Sequence, residues 1–273
     1  MTTVFAIANQ KGGVGKTTSS VNLAASLAAT RKRVLLVDID PQGNATSGSG
    51  VDKHGTDYTI YDVLMEEVQI EQAIVTTPEG SGFDMLVANG DLTAAEVQLL
   101  DMKLKEFRLR NALARVRNRY DYILVDCPPS LNMLTINALT AADSVIVPIQ
   151  CEYYALEGLT ALLNTIEKIS GVLNPKLHIG GLLRTMYDPR NSLSNDVSNQ
   201  LITHFGDKVY RTIIPRNVRL AEAPSHGAPV ISYDAKSRGA ISYLALAGEI
   251  LRREQALRQA AQAPTDNQTA KVE

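Results

Sequence analysis

The chain has 273 residues, 45% hydrophobic and 21% charged, a globular composition that excludes a disordered or fibrous protein. At about 150 residues per domain, this length fits one large domain or two small ones. With 27 basic and 29 acidic residues the formal charge is −2, which by itself names no partner.

Short β-branched runs alternate with longer helical stretches along the chain. Thr3–Ala8 reads as a strand and Thr17–Ala29 as a helix, followed by strands at Arg33–Asp38 and Phe83–Ala88. Ala94–Arg119 reads as one long helix, then come the strand Tyr122–Asp126, the helix Leu131–Ala142 and the strand Ser144–Ile149. The pattern closes with the helix Leu156–Leu173, the strand Leu177–Leu183, the helix Asp196–Phe205, the strand Val209–Ile214 and the helix Ile241–Arg258. Several strands are continuously apolar, notably residues 34–37 and 122–125, as strands covered on both faces are. Strands and helices in alternation imply an α/β domain over residues 1–258, a mostly parallel sheet with helices on both faces. Residues 259–273 are short of large apolar side chains and read as a tail.

Charge is unevenly spread. Residues 38–101 hold 13 acidic side chains and one cation, Lys53, leaving 26 basic and 16 acidic residues elsewhere. That asymmetry suits an anionic partner without specifying one. A stretch from Lys103 to Arg119 has seven cations and one anion, Glu106, and reads as a solvated helix face or a share of a nucleic-acid surface. Two cysteines, Cys127 and Cys151, are too few for a disulfide framework or a cysteine-only zinc site and read as reduced, buried thiols. The start MTTVFAIANQKGG has no basic stretch and a short apolar run, and no segment approaches the length of a membrane span, so a cytoplasmic location is expected. The four histidines show no metal-ligand spacing.

The strongest signal is Lys11-Gly12-Gly13-Val14-Gly15-Lys16-Thr17-Thr18, directly after an apolar strand and opening a helix. Glycines let successive backbone N–H groups turn into one concavity, and the helix N-terminus adds positive potential there, as phosphate binding requires. Lys16 would reach the β- and γ-phosphates of a nucleotide, and Thr17 would offer its hydroxyl to Mg²⁺. Position 10, where the standard spacing wants glycine, is Gln10, and a second lysine stands five residues before Lys16. This string resembles the deviant Walker A motif of the ParA/MinD group of ATPases. The resemblance implies that Lys11 reaches across an ATP-sandwich homodimer to the partner's phosphates, a cation supplied in trans like an arginine finger.

The strand ending Asp38-Ile39-Asp40-Pro41-Gln42-Gly43-Asn44 is similar to the group's switch I, where Asp40 would position or activate the attacking water. Asp40 is a further candidate metal ligand, and Asp38 is expected either one layer out from the metal or as a turn cap. Tyr122–Asp126 followed by Cys127-Pro128-Pro129-Ser130 has the Walker B pattern, with Asp126 holding Mg²⁺ through water. Lys11, Lys16 and Asp40 are thus the candidate catalytic groups.

Segments 181–188, 210–227 and 233–240 narrow the resemblance to chromosomal ParA (Soj) proteins, covering residues 3–255. It implies an adenine pocket at Met186, Pro215 and Asn217, although Arg184 stands where a small or hydroxyl residue is expected. It also implies non-specific binding of double-stranded DNA by the ATP dimer through Arg190, Arg219, Arg238, Lys236 and Arg216, each of which reads otherwise as a solvated charge. Phosphate neutralisation needs no base readout, so scattered cations suffice. A ParB-type partner that accelerates hydrolysis and a nucleoid-associated location follow from the same resemblance. The alternative is a MinD-like membrane-associated cell-division ATPase. That reading needs a terminal amphipathic helix with bulky apolar residues, and residues 260–273 contain no Leu, Ile or Phe. A metabolic or electron-transfer relative is a third reading, disfavoured because Cys127 follows the Walker B aspartate directly.

Overall fold

A computed structural model describes residues 2–262. Its strands are β1 (Thr3–Ile7), β2 (Val34–Asp38), β3 (Ile74–Thr76), β4 (Asp84–Leu86), β5 (Tyr122–Asp126), β6 (Ser144–Gln150), β7 (His178–Tyr187) and β8 (Val209–Pro215). They form one sheet in the order β3-β4-β2-β5-β1-β6-β7-β8. Every adjacent pair is parallel except β3–β4. Successive side chains leave a strand on opposite faces, so the apolar runs feed two cores at once. Val4 and Ala6 of β1, Leu35 and Val37 of β2, and Ile123 and Val125 of β5 enter one core. Phe5, Ile7, Val34, Leu36, Tyr122 and Leu124 enter the other, beneath the helices Lys16–Ala29 and Arg238–Gln262. The α/β architecture with helices on both faces is therefore as the sequence implied.

Four local readings change. The strand β3 is short, half-exposed and antiparallel at the sheet edge, too brief to show as a periodic pattern. The long helix over 94–119 is broken into Leu92–Gln98 and Arg108–Val116, with Leu104 between them at a left-handed φ of 53°. Tertiary contacts impose this break. Asn137 Oδ1 accepts from the Leu109 N–H at 3.1 Å, and Asn137 Nδ2 donates to the Lys105 carbonyl at 2.7 Å. β7 continues past Leu183 to Tyr187, which carries residues 184–187 to the C-terminal edge of the sheet. The last helix runs to Gln262, past the expected end at 258; the remainder of the expected tail, 263–273, lies outside the described residues.

The uneven charge is partly compensated in space. Arg108 pairs with Glu66 at 2.7 Å and Arg115 with Glu71 at 3.2 Å, so the basic segment lies against the acidic one. Arg117 pairs with Asp143. Both cysteines are free and buried, and burial pushes both thiols up, Cys151 to about 11.

Candidate nucleotide site

The register places three strand ends side by side. Ile7 of β1 and Asp38 of β2 both stand opposite Asp126 of β5. Beyond β1 the chain turns through residues 9–15 into the helix Lys16–Ala29, with Gly15 at φ 87°, a conformation that a side chain would strain. In open parallel sheets, ligands bind at the carboxyl ends of the strands, where the connections diverge. Here that edge holds a cavity of about 490 Å³. The phosphate loop (Gly12, Gly13, Gly15, Lys16, Thr17, Thr18) and Asp40 form one side. The expected base-binding residues Met186, Pro215 and Asn217 form the other.

Lys16 is 7% exposed, and its Nζ donates to the Lys11 carbonyl at 3.2 Å. Burial pushes its ammonium below the ordinary lysine range, against the opposing pull of Asp126 and Asp40. Thr17 Oγ1 donates to Asp126 Oδ2 at 2.8 Å, and Ser20 Oγ lies 2.7 Å from Asp126 Oδ1. Thr17 and Ser20 are three residues apart on one helix, so both hydroxyls face the same strand end. Ser20 was not singled out from sequence, although that spacing was visible. One hydroxyl and one buried carboxylate at hydrogen-bond distance are hard oxygen donors that suit Mg²⁺.

Asp126 and Asp38 are wholly buried. Burial raises both carboxyls above the ordinary carboxylate range, and the charge of Asp126 raises Asp38 further. Asp38 has a loop-anchoring place: it accepts from the Asp40 N–H at 3.1 Å and from the Thr46 N–H and hydroxyl at 2.8 Å each. Of the two expectations for Asp38, the turn cap matches this geometry. Asp40 is 8% exposed and accepts from the Gln42 N–H at 2.9 Å, which folds the loop back beneath the cavity.

On the far wall, the strand alternation at the end of β7 separates two neighbours. Arg184 points into the protein, donating to Ser198 Oγ at 2.9 Å and to the Tyr210 carbonyl at 2.8 Å. Thr185 points to the phosphate loop and donates to the Val14 carbonyl at 2.7 Å. The hydroxyl expected near this spot is therefore supplied one position later. Met186 has a left-handed φ of 48°, and Asn217 Oδ1 is buried with no hydrogen-bond partner.

The expected DNA-contacting cations do not form one free patch. Arg216 is exposed but lines the nucleotide cavity. Arg190 is 88% exposed along its side chain and pairs with Asp188 at 2.7 Å, and its guanidinium pulls the Asp188 carboxyl down to about 2. Arg219 pairs with Glu222 at 2.8 Å and Asp234 at 3.2 Å, which brings it to the turn carrying the exposed Lys236 and Arg238. Lys11 does not line the cavity of its own chain; its Nζ lies 2.7 Å from Glu152 Oε2. Among the described residues no helix is long and apolar enough to cross a membrane.

A strand, a glycine loop and a helix N-terminus with a buried lysine, set beside a carboxylate-bearing strand end, define a P-loop nucleoside triphosphatase. Comparisons with known proteins agree. The family described as AAA domain matches residues 2–179. The chain is 54% identical over 253 residues to the chromosome partitioning protein ParA of Caulobacter vibrioides, covering 92% of this chain and 94% of that one. It is 55% identical over 248 residues to the sporulation initiation inhibitor protein Soj of Bacillus subtilis, covering 90% and 97%. Among solved structures, it resembles cobyrinic acid a,c-diamide synthase from Mycobacterium smegmatis with bound ATP analog and magnesium. That match has a TM-score of 0.83 and 39% identity, covering 94% of this chain and 98% of that one. The chain belongs to the ParA/Soj family of P-loop ATPases.

Proposed function

We propose that this ATPase is a segregation switch that closes as an ATP-bound homodimer, holds double-stranded DNA non-specifically in that form, and releases it on hydrolysis. The observation that carries the reading is the convergence of Lys16, the Thr17–Asp126 contact and Asp40 on one cavity of about 490 Å³. It gains weight from relatives named for chromosome partitioning at more than half identity.

The N–H groups from Gly12 to Thr18 cradle the phosphates of ATP, with Lys16 at the β- and γ-phosphates. Bound Mg²⁺ would supply positive charge against that developing on the transferred phosphoryl group. Thr17 directly, Asp126 through water and Asp40 as a further ligand are the residues that would hold it. Asp40 orients the attacking water, and Lys11 acts on the nucleotide of the second subunit. Met186 and Pro215 cover the adenine, and the partnerless Oδ1 of Asn217 suits an exocyclic amino group as donor.

DNA contact falls to Arg190, Arg219, Arg238 and Lys236, with Arg216 nearer the nucleotide. Because Arg190 and Arg219 are paired with carboxylates of their own chain, DNA phosphates must displace those partners. A ParB-type protein accelerates turnover, and the switch works in the cytoplasm on the nucleoid. The test is binding to random-sequence duplex DNA and to anionic liposomes with ATP, ADP or no nucleotide. ATP-dependent DNA binding that fades with salt is expected, without liposome binding. Liposome binding instead moves the reading to the MinD-like one, and binding to neither removes the DNA step.

A further inference from the structure

The Lys11 side chain does not line the cavity of its own chain. Its backbone is fixed twice within the phosphate loop: its N–H donates to Asn9 Oδ1 at 3.0 Å, and its carbonyl accepts from Lys16 Nζ at 3.2 Å. Only the side chain can swing, and it points away from the cavity to Glu152. Glu152 is anchored in turn. Its N–H donates to the Gln150 carbonyl at 2.8 Å, just beyond β6, and its own carbonyl accepts from Ala155 at 2.9 Å. Asn9 Nδ2 donates to the Pro148 carbonyl at 2.7 Å, so one hydrogen-bonded unit carries both partners. The pair lies on the surface, with side chains 39% and 47% exposed. Next to it Tyr153 and Tyr154 stand 74% and 66% exposed, their rings edge to face at 5.0 Å.

We propose that Glu152 is the positioning residue for Lys11: within one chain it holds the ammonium in an ion pair that must open before Lys11 can serve the nucleotide of a second copy. This rests on the reading of Lys11 given under the proposed function. A half-exposed ion pair is weak, so it orients the lysine without trapping it. A buried pair would cost far more to break. Closing a dimer gives up one such pair per subunit. Freeing the lysine is therefore expected to tighten the dimer about threefold per subunit, about tenfold in the dimer constant.

The experiment measures the dimer dissociation constant by analytical ultracentrifugation with a non-hydrolysable ATP analogue and Mg²⁺. It compares wild type, Glu152→Gln, Glu152→Asp, Lys11→Ala and the Lys11→Ala/Glu152→Gln double variant. Glu152→Gln is expected to tighten the dimer about tenfold, and Glu152→Asp, which keeps the charge, to stay near wild type. In the Lys11→Ala background Glu152→Gln is expected to change nothing, a result that a merely structural role for Glu152 would not produce. Higher salt should bring wild type towards Glu152→Gln as the pair is screened. A Glu152→Gln dimer no tighter than wild type, or an equal tightening without Lys11, overturns the proposal and leaves the dimer reading standing. A wild type that stays monomeric with the analogue overturns both.

Discussion

Gly181 of β7 pairs in register with Ile146 of β6 and sits over the ring of Tyr210, the second residue of β8. A Cβ at Gly181 would lie 2.3 Å from Tyr210 Cε2 and 2.5 Å from Cζ, well inside van der Waals contact. The ring cannot simply move aside. It is 2% exposed, the Arg253 guanidinium lies 4.5 Å from its centroid, and Arg253 is tied to Glu249 at 2.7 Å. Glu249 also accepts from the Arg211 and Thr212 N–H groups, at 2.9 and 2.8 Å. Gly181→Ala must therefore shift β7 against β8, an overpacking cost at the upper end of the usual range, about 3 kcal/mol. For a chain of this size that is a fall of about 6–12 °C in Tm. Because Thr185 and Met186 lie further along the same strand, nucleotide affinity should fall as well. Thermal unfolding by circular dichroism measures the first effect. Tyr210→Leu separates the cause, since the double variant should recover about 2 kcal/mol relative to the sum of the single ones. A Gly181→Ala variant melting within about 2 °C of wild type, or strict additivity with Tyr210→Leu, would show the reasoning wrong.

Other outcomes are expected at the cavity. Asn217→Ala should weaken ATP binding about tenfold, the loss of one hydrogen bond, and erase any preference over GTP, which offers an acceptor where adenine offers an amino group. Titration calorimetry with both nucleotides checks this, and an unchanged ratio rejects the pairing. Lys16→Ala should abolish nucleotide binding. Asp40→Ala should bind ATP and dimerise while its kcat falls by about 100-fold or more, and normal phosphate release would remove Asp40 from its role. Buried Asp126 has a carboxyl raised above its unfolded value, so the folded chain binds the extra proton and loses stability as pH rises through that interval. In EDTA, without nucleotide, the Tm of Asp126→Asn relative to wild type should therefore be higher at pH 8 than at pH 4; parallel curves would discount the burial argument.

The parts of the fold that show in the sequence are those with a local cause. Residues 34–37 and 122–125 are apolar without interruption because both faces of β2 and β5 are covered. The loop at 11–18 is legible because glycine spacing, a preceding strand and a following helix are all local. The break at 99–107 was not legible, because the groups that enforce it come from Asn137, about thirty residues away. Pairing of Arg108 with Glu66 and of Arg115 with Glu71 is equally non-local, and it offsets part of an apparent charge block. Met186, Pro215 and Asn217 were reached only through resemblance, since no spacing rule links them to Lys16. Thr185 was missed because its role depends on which face of β7 it occupies.

The two buried aspartates show how the site and the fold constrain each other. Asp38 and Asp126 stand in register on adjacent strands, both wholly buried, and the charge of Asp126 makes Asp38 harder to ionise. Apolar residues at both strand ends would pack without this cost. What offsets it is a set of donors taken from the loop and helices that follow the strands, not from the sheet. The Ala88 N–H donates to Thr46 Oγ1 at 3.1 Å, and that hydroxyl donates to Asp38. With the Asp40 and Thr46 N–H groups, the carboxylate of Asp38 thus ties the loop after β2 to the end of β4. The partners of Asp126 are the hydroxyls of Thr17 and Ser20, on the helix that follows the phosphate loop. Asp38 accepts two backbone N–H groups, of Asp40 and Thr46, besides the Thr46 hydroxyl, whereas the partners of Asp126 are side-chain hydroxyls that can rotate away. Of the two, only Asp126 can exchange its partners without unravelling the chain, so two acids at equivalent strand ends are not interchangeable.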